Sequence, residues 1–127
     1  MRKDSIERMV VVVEDDASYR VALQRLLKAA GFPVTSFSCA EDFLSSGQQH
    51  ATGCVIADIR MPGMSGLDMQ VKLKSQRCLI PTIFITAHGD EKMRLQAMRG
   101  GAVNFLSKPF DGETLIESVR TALELNA

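Results

Sequence analysis

Tryptophan is absent from this 127-residue chain, and tyrosine occurs once. The three cysteines, Cys39, Cys54 and Cys78, form no C-x-x-C pair, and His50 and His88 stand far from them in sequence. Zinc-site spacing is therefore missing, and an odd, scattered set of thiols argues against a disulfide framework. The longest apolar stretch, residues 9–13, falls far short of the ~20 residues that span a bilayer. Residues 1–8 are charged and polar, with no apolar secretory segment behind them. Neither sign of charge is in excess: 15 basic and 15 acidic side chains cancel, and the pI is near 6.7. A nucleic-acid grip and a membrane-surface patch both need local excess Lys and Arg, so direct nucleic-acid contact and membrane association are not expected. A cytoplasmic protein with reduced thiols is the economical reading.

What remains is an ordinary globular composition, 46% hydrophobic and 24% charged with 9 Gly and 4 Pro. The length suits one domain spanning 1–127, enough to bury roughly two-thirds of its unfolded surface without disulfides or a structural metal. Residues 9–13, Met followed by four valines, read as a strand buried on both faces. Glu14, Asp15 and Asp16 then cap a helix carrying Tyr19, Ala22, Leu23, Leu26, Leu27 and Ala30 at helical spacing, and Gly31 stops it. Residues 33–37 form a short edge strand. Ser38-x-x-Glu41 reads as a capping box before a short helix ending near Gly47.

Residues 54–58 form the next buried strand, closed by Asp58, and 60–66 is a Pro/Gly loop. Leu67, Met69, Val71 and Leu73 alternate as a strand would, yet parallel strands need a long crossover, so this piece is read as helix. Residues 82–85 form a strand ending at Thr86. A weakly amphipathic helix follows at 90–100, with Met93, Ala97 and Met98 inward at best. A short strand covers 103–106. From Asp111 the set Leu115, Ile116, Val119, Ala122 and Leu123 makes the cleanest helical stripe. Five strands alternating with five helices predict an α/β doubly wound (βα)5 sandwich around a parallel sheet.

In such sheets ligands bind beyond the carboxyl ends of the strands, where strand order reverses. For the order 2-1-3-4-5 that point lies between strands one and three. The strands present Glu14, Asp15 and Asp16, then Asp58, Thr86 and Lys108 there, while the second strand offers no ionisable group. Taken singly, each has a bland explanation as a solvated turn, a polar strand end or a surface lysine. Together, clustered carboxylates call for an oxygen-seeking cation such as Mg2+, and carboxylate, cation, ammonium and hydroxyl are the parts needed to form an acyl phosphate on Asp58.

The segments Val-Val-Glu14-Asp15-Asp16, Ala-Asp58-Ile-Arg-Met-Pro-Gly-Met-Ser-Gly, Ile-Thr86-Ala-His and Leu-Ser-Lys108-Pro109-Phe110 resemble the response-regulator receiver domain of two-component systems. The likeness runs over about 9–125 and is greatest to the nitrogen-fixation regulator branch, whose output is a carboxy-terminal helix-turn-helix. This chain stops at Ala127, so an output domain is expected to be absent from it. The resemblance implies that Glu14, Asp15, Asp58 and the backbone carbonyl of Arg60 hold Mg2+ (or Mn2+). It also implies that Asp58 accepts the phosphoryl group, that Thr86 and Lys108 bind its oxygens, and that Phe105 is the aromatic switch. A sensor histidine kinase is the implied donor and a cis Lys108–Pro109 bond the implied geometry. Glu14 stands where Asp is commoner, and Phe105 where Tyr is frequent.

Further expectations concern the phosphorylated state. Arg60 and His88, two residues beyond Asp58 and Thr86, would flank the path of a hydrolytic water and slow phosphate loss. His88 reads more readily as a loop residue than as a general base. Thr86 would move toward the phosphoryl group and Phe105 turn inward behind it, exposing residues 90–106 as a phosphorylation-dependent homodimer contact that controls transcription. An aspartyl-phosphate phosphohydrolase would need a second carboxylate where Arg60 stands, together with a cap domain. A dinucleotide-binding domain would need G-x-G-x-x-G after the first strand, where acidic residues stand instead. The chain therefore reads as a phosphoacceptor switch rather than an enzyme acting on another substrate.

Overall fold

Strands and helices alternate along the computed structural model, which describes residues 8–87 and 89–125. The order is β1 (Met9–Val13), α1 (Ala17–Ala29), β2 (Val34–Phe37), α2 (Ala40–Ser45), β3 (Thr52–Asp58), α3 (Gly66–Ser75), β4 (Thr82–Thr86), α4 (Glu91–Arg99), β5 (Asn104–Ser107) and α5 (Gly112–Leu125). A single 3-10 turn at Gln49–Ala51 precedes β3. The strands form one parallel sheet, as the alternating pattern predicts, in the expected order β2-β1-β3-β4-β5.

Strand alternation builds two cores. Val10 and Val12 of β1, Cys54 and Ile56 of β3, and Ile83 and Ile85 of β4 face α1 and α5, meeting Leu23, Leu27, Leu115, Val119 and Ala122. Val11, Val13, Val55, Ala57 and Phe84 face the other way, against Ala40 and Phe43 of α2, Leu67, Met69 and Leu73 of α3, and Ala97 of α4. Burying each large aliphatic side chain contributes about 1.5–3 kcal/mol, so the apolar middles of the central strands are held from both sides. The sheet fixes its strand ends rigidly, and those ends carry the polar groups.

Local signals explain most boundaries. Asp16 caps α1 by accepting from the Tyr19 N–H at 3.2 Å, and Gly31 takes φ +95° just beyond its end. In α3, Leu67, Met69 and Leu73 are buried while Val71 is exposed, a helical face rather than an alternating one.

Three local expectations are corrected. The capping box at Ser38-x-x-Glu41 does not form: Cys39 is the N-cap of α2 and makes no side-chain cap bond, while Glu41 accepts from the Met64 N–H at 2.9 Å. A capping box instead opens α3, where Ser65 Oγ accepts from the Asp68 N–H at 3.0 Å and Asp68 answers the Ser65 N–H. In α4 only Ala97 is buried; Met93 is half-buried, and Met98 joins Leu95 on the exposed face. Strand β5 begins one residue later than expected, at Asn104, although the Val103 N–H already donates to Thr82 O of β4 at 2.8 Å. Among the described residues no helix is long and apolar enough to cross a membrane.

Candidate functional site

The carboxyl ends of β1, β3, β4 and β5 bring Glu14, Asp58, Thr86 and Lys108 to one rim of the sheet. Glu14 follows directly on β1 and is wholly buried. Its backbone N–H donates to Phe37 O at 3.0 Å, its Oε2 accepts from the Asp16 N–H at 3.1 Å, and its carbonyl accepts from Arg20 Nη1 at 2.7 Å. Asp58 ends β3, with Oδ1 accepting from the Arg60 N–H at 3.1 Å. That bond folds the loop back over the carboxylate, while the Arg60 side chain points to solvent.

Lys108 reaches into this cluster from the end of β5. Its backbone N–H donates to Thr86 O at 2.9 Å, and the Lys108–Pro109 bond is cis. Its Nζ lies 2.9 Å from Glu14 Oε1 and 3.0 Å from Asp58 Oδ2, so one ammonium bridges carboxylates from two strands. Asp15 is exposed beside them, and Glu14, Asp15 and Asp58 each offer a carboxylate oxygen within 4.8 Å of the others. Three hard oxygen donors at the ends of β1 and β3, two of them sharing one lysine, suit a small divalent cation.

Burial sets the electrostatics. Desolvation raises the Glu14 carboxyl above the usual carboxylate range; the hydrogen bonds from Lys108 and the Asp16 N–H oppose the rise, and Asp58 adds repulsion. Desolvation pulls Lys108 down, but its bonds to Glu14 and Asp58 outweigh it and hold the ammonium above the usual lysine range. The site thus keeps a charged lysine against two carboxylates that repel each other.

Thr86 is buried at the end of β4, and Phe105 pairs with Phe84 one strand over. A Cβ on Gly89 would lie 2.6 Å from Thr86 Cγ2 and 2.8 Å from Phe105 Cε1, so methyl and ring converge on the same spot behind the rim. The structure therefore brings Glu14, Asp15, Asp58, Lys108, Thr86 and Phe105 into one neighbourhood. His88 lies outside the described residues.

Sequence reasoning missed three contributors. Arg20 anchors the Glu14 carbonyl from the first turn of α1. Gly66 donates its N–H to Ile59 O at 2.9 Å, and any Cβ there would collide with the Asp58 carbonyl oxygen; only glycine lets α3 begin so close to the acid. Tyr19 counted as part of an apolar stripe, yet Lys108 Nζ sits 4.1 Å from its ring centroid. Being the only tyrosine, within four residues of the acidic triplet, was the available signal.

Comparison with known families matches residues 10–120 to the response regulator receiver domain. The chain is 46% identical over 120 residues to nodulation protein W of Bradyrhizobium diazoefficiens, covering 94% of this chain and 53% of that protein. It is 40% identical over 114 residues to transcriptional regulatory protein FixJ of the same organism, covering 90% and 56%. The chain thus spans about half the length of these curated relatives. Among solved structures, response regulator StyR superposes with a TM-score of 0.89 at 45% identity, over 94% of this chain and 61% of that one. The crystal structure of FixJ-N gives 0.84 at 36% identity, over 98% and 96%. These likenesses agree with the resemblance to the nitrogen-fixation branch. With its order 2-1-3-4-5, its acids after β1 and β3, and its lysine after β5, the chain belongs to the response regulator receiver domain family.

Proposed function

We propose that Asp58 is the phosphoacceptor of a signalling switch that receives its phosphoryl group from a sensor histidine kinase, the usual partner of receiver domains. The observation that carries this reading is the position of Asp58 at the β1/β3 switch point, 3.0 Å from Lys108 and clustered with Glu14 and Asp15. An Asp58 carboxylate oxygen attacks phosphorus, the bond from phosphorus to the donor breaks, and the donor nitrogen leaves. Lys108 and the Thr86 hydroxyl take the phosphoryl oxygens. Glu14, Asp15, Asp58 and the Arg60 carbonyl would hold Mg2+ (or Mn2+), which would neutralise the carboxylates and the incoming charge. The domain catalyses only its own phosphorylation and dephosphorylation.

A phosphoryl group adds ~1.5–2 negative charges and three acceptor oxygens at the rim. Thr86 moves toward them, and Phe105 turns inward to fill the space the Thr86 side chain leaves. The α4–β5 face then changes. It already exposes Leu95 and Met98, and α4 buries a single residue. That weak packing suits an element that shifts and forms a two-fold dimer contact through residues 90–106. Residues 1–127 act as one receiver domain in the cytoplasm, without touching DNA, and the output is transcriptional, as in the relatives named as regulators of transcription.

The test is incubation with a small acyl-phosphate donor and Mg2+, read by intact mass. One phosphoryl group per chain is expected. Full labelling in excess chelator contradicts the reading.

A further inference from the structure

The Lys108 ammonium has a third neighbour besides its two carboxylates. Its Nζ lies 4.1 Å from the centroid of the Tyr19 ring. One contact holds the backbone of Tyr19 and another holds its ring. The Tyr19 N–H donates to Asp16 Oδ1 at 3.2 Å, tying the residue to the cap of α1 beside the acidic loop. From the other side Phe110 meets the ring edge-on, with centroids 5.9 Å apart at 60°. The lysine therefore rests against a face anchored both to the acids after β1 and to the loop after β5.

Lysine is a point charge on a flexible four-carbon stem, so its head goes where attraction is strongest. Here Glu14 and Asp58 hold it at 2.9 and 3.0 Å. A divalent cation at Glu14, Asp15 and Asp58 draws on the same carboxylates and repels the ammonium. An aromatic face attracts a cation through its quadrupole yet is no ligand for a hard metal ion, so it keeps its hold when the carboxylates are claimed. We propose that Tyr19 is a positioning residue: its ring is the seat that keeps the Lys108 ammonium beside Asp58 while the carboxylates serve a metal ion. This rests on the role of Asp58 proposed above.

The experiment compares wild type with Tyr19→Leu and Tyr19→Phe. The first readout needs no chemistry: the Lys108 Hε protons, lying over a ring face, show an upfield ring-current shift in NMR spectra with and without Mg2+. The second is the first-order rate of labelling by a small acyl phosphate at saturating donor and Mg2+. In Tyr19→Leu the shift disappears, the saturated rate falls about three- to fivefold, and more Mg2+ is needed for half-maximal rate, because Lys108 now competes fully for Glu14. Tyr19→Phe keeps the ring and restores both readouts, which a role of the hydroxyl in helix structure would not allow. A wild type that takes no label overturns the reading of Asp58 itself. A labelled wild type overturns the role of Tyr19 if Tyr19→Leu matches its rate, if Tyr19→Phe is as slow as Tyr19→Leu, or if the wild-type shift vanishes on adding Mg2+.

Discussion

The ammonium of Lys108 lies 2.9 Å from Oε1 of Glu14, across 94 residues of chain, and is the cation facing that buried carboxylate. Removing it leaves Glu14 and Asp58 repelling each other. Lys108→Met is expected to cost about 2–4 kcal/mol near neutral pH, less than a sealed pair because the lysine side chain is 13% exposed. Since Lys108 is held above its ordinary value of 10.5, its contribution is whole below that pH and is lost as pH rises through the higher folded-state value. Chemical denaturation of both proteins across the alkaline range should therefore show the gap between them closing above 10.5. A gap that stays constant there would show that the ion pair is not its source.

Gln70 ties α3 to the end of α4. Its buried Nε2 donates to Ala97 O at 3.0 Å, and a Cβ on Gly100 would collide with its amide. Gly100 has an ordinary φ of −78°, so glycine is required there for room and not for backbone conformation. Gly100→Ala should destabilise by about 1–3 kcal/mol, as overpacking does. In a Gln70→Ala background the same change should cost much less, and a double-mutant cycle measures the coupling. Additive effects would show that the two residues do not share the space.

A methyl on Gly89 would press on both the Thr86 methyl and the Phe105 ring. Gly89→Ala crowds the Thr86 methyl and the Phe105 ring where they already converge, so phosphorylation should persist while the joint movement of the two side chains is hindered. Sedimentation at equal concentration reads this: phosphorylated wild type is expected to gain dimer and phosphorylated Gly89→Ala to stay monomeric. Charge reversal at Arg94 and Arg99 should likewise weaken the dimer. The Arg94–Glu91 pair is exposed and local, so its loss costs the fold little. An unchanged mass on phosphorylating wild type would place the output on another surface.

The central strands were legible because β-branched runs buried on both faces leave no other reading, and the alternation with helices then dictated the sheet. Asp58 and Thr86 stood out because each ends an apolar strand, Lys108 because it directly follows one strand end, and the topology brings these ends together. The errors have a common cause in long-range competition. Glu41 had the local pattern of a capping box, yet the Met64 N–H, 23 residues away, wins its carboxylate. Met98 fits a helical stripe by spacing, but α4 meets the sheet along too narrow a face to cover it. Tyr19 had the character of a core residue and serves equally as the floor under a lysine 89 positions later, a relation that helical periodicity does not encode.

The chemical identity of the phosphorylated residue tests the account most directly. The protein is labelled with a small acyl phosphate in Mg2+ and treated with borohydride, which reduces an acyl phosphate of aspartate to homoserine. Peptide mapping then locates the change. The account predicts homoserine at position 58 alone, with no label in Asp58→Asn. A label that persists in Asp58→Asn, maps to another residue, or resists hydroxylamine as a phosphate ester does would contradict it.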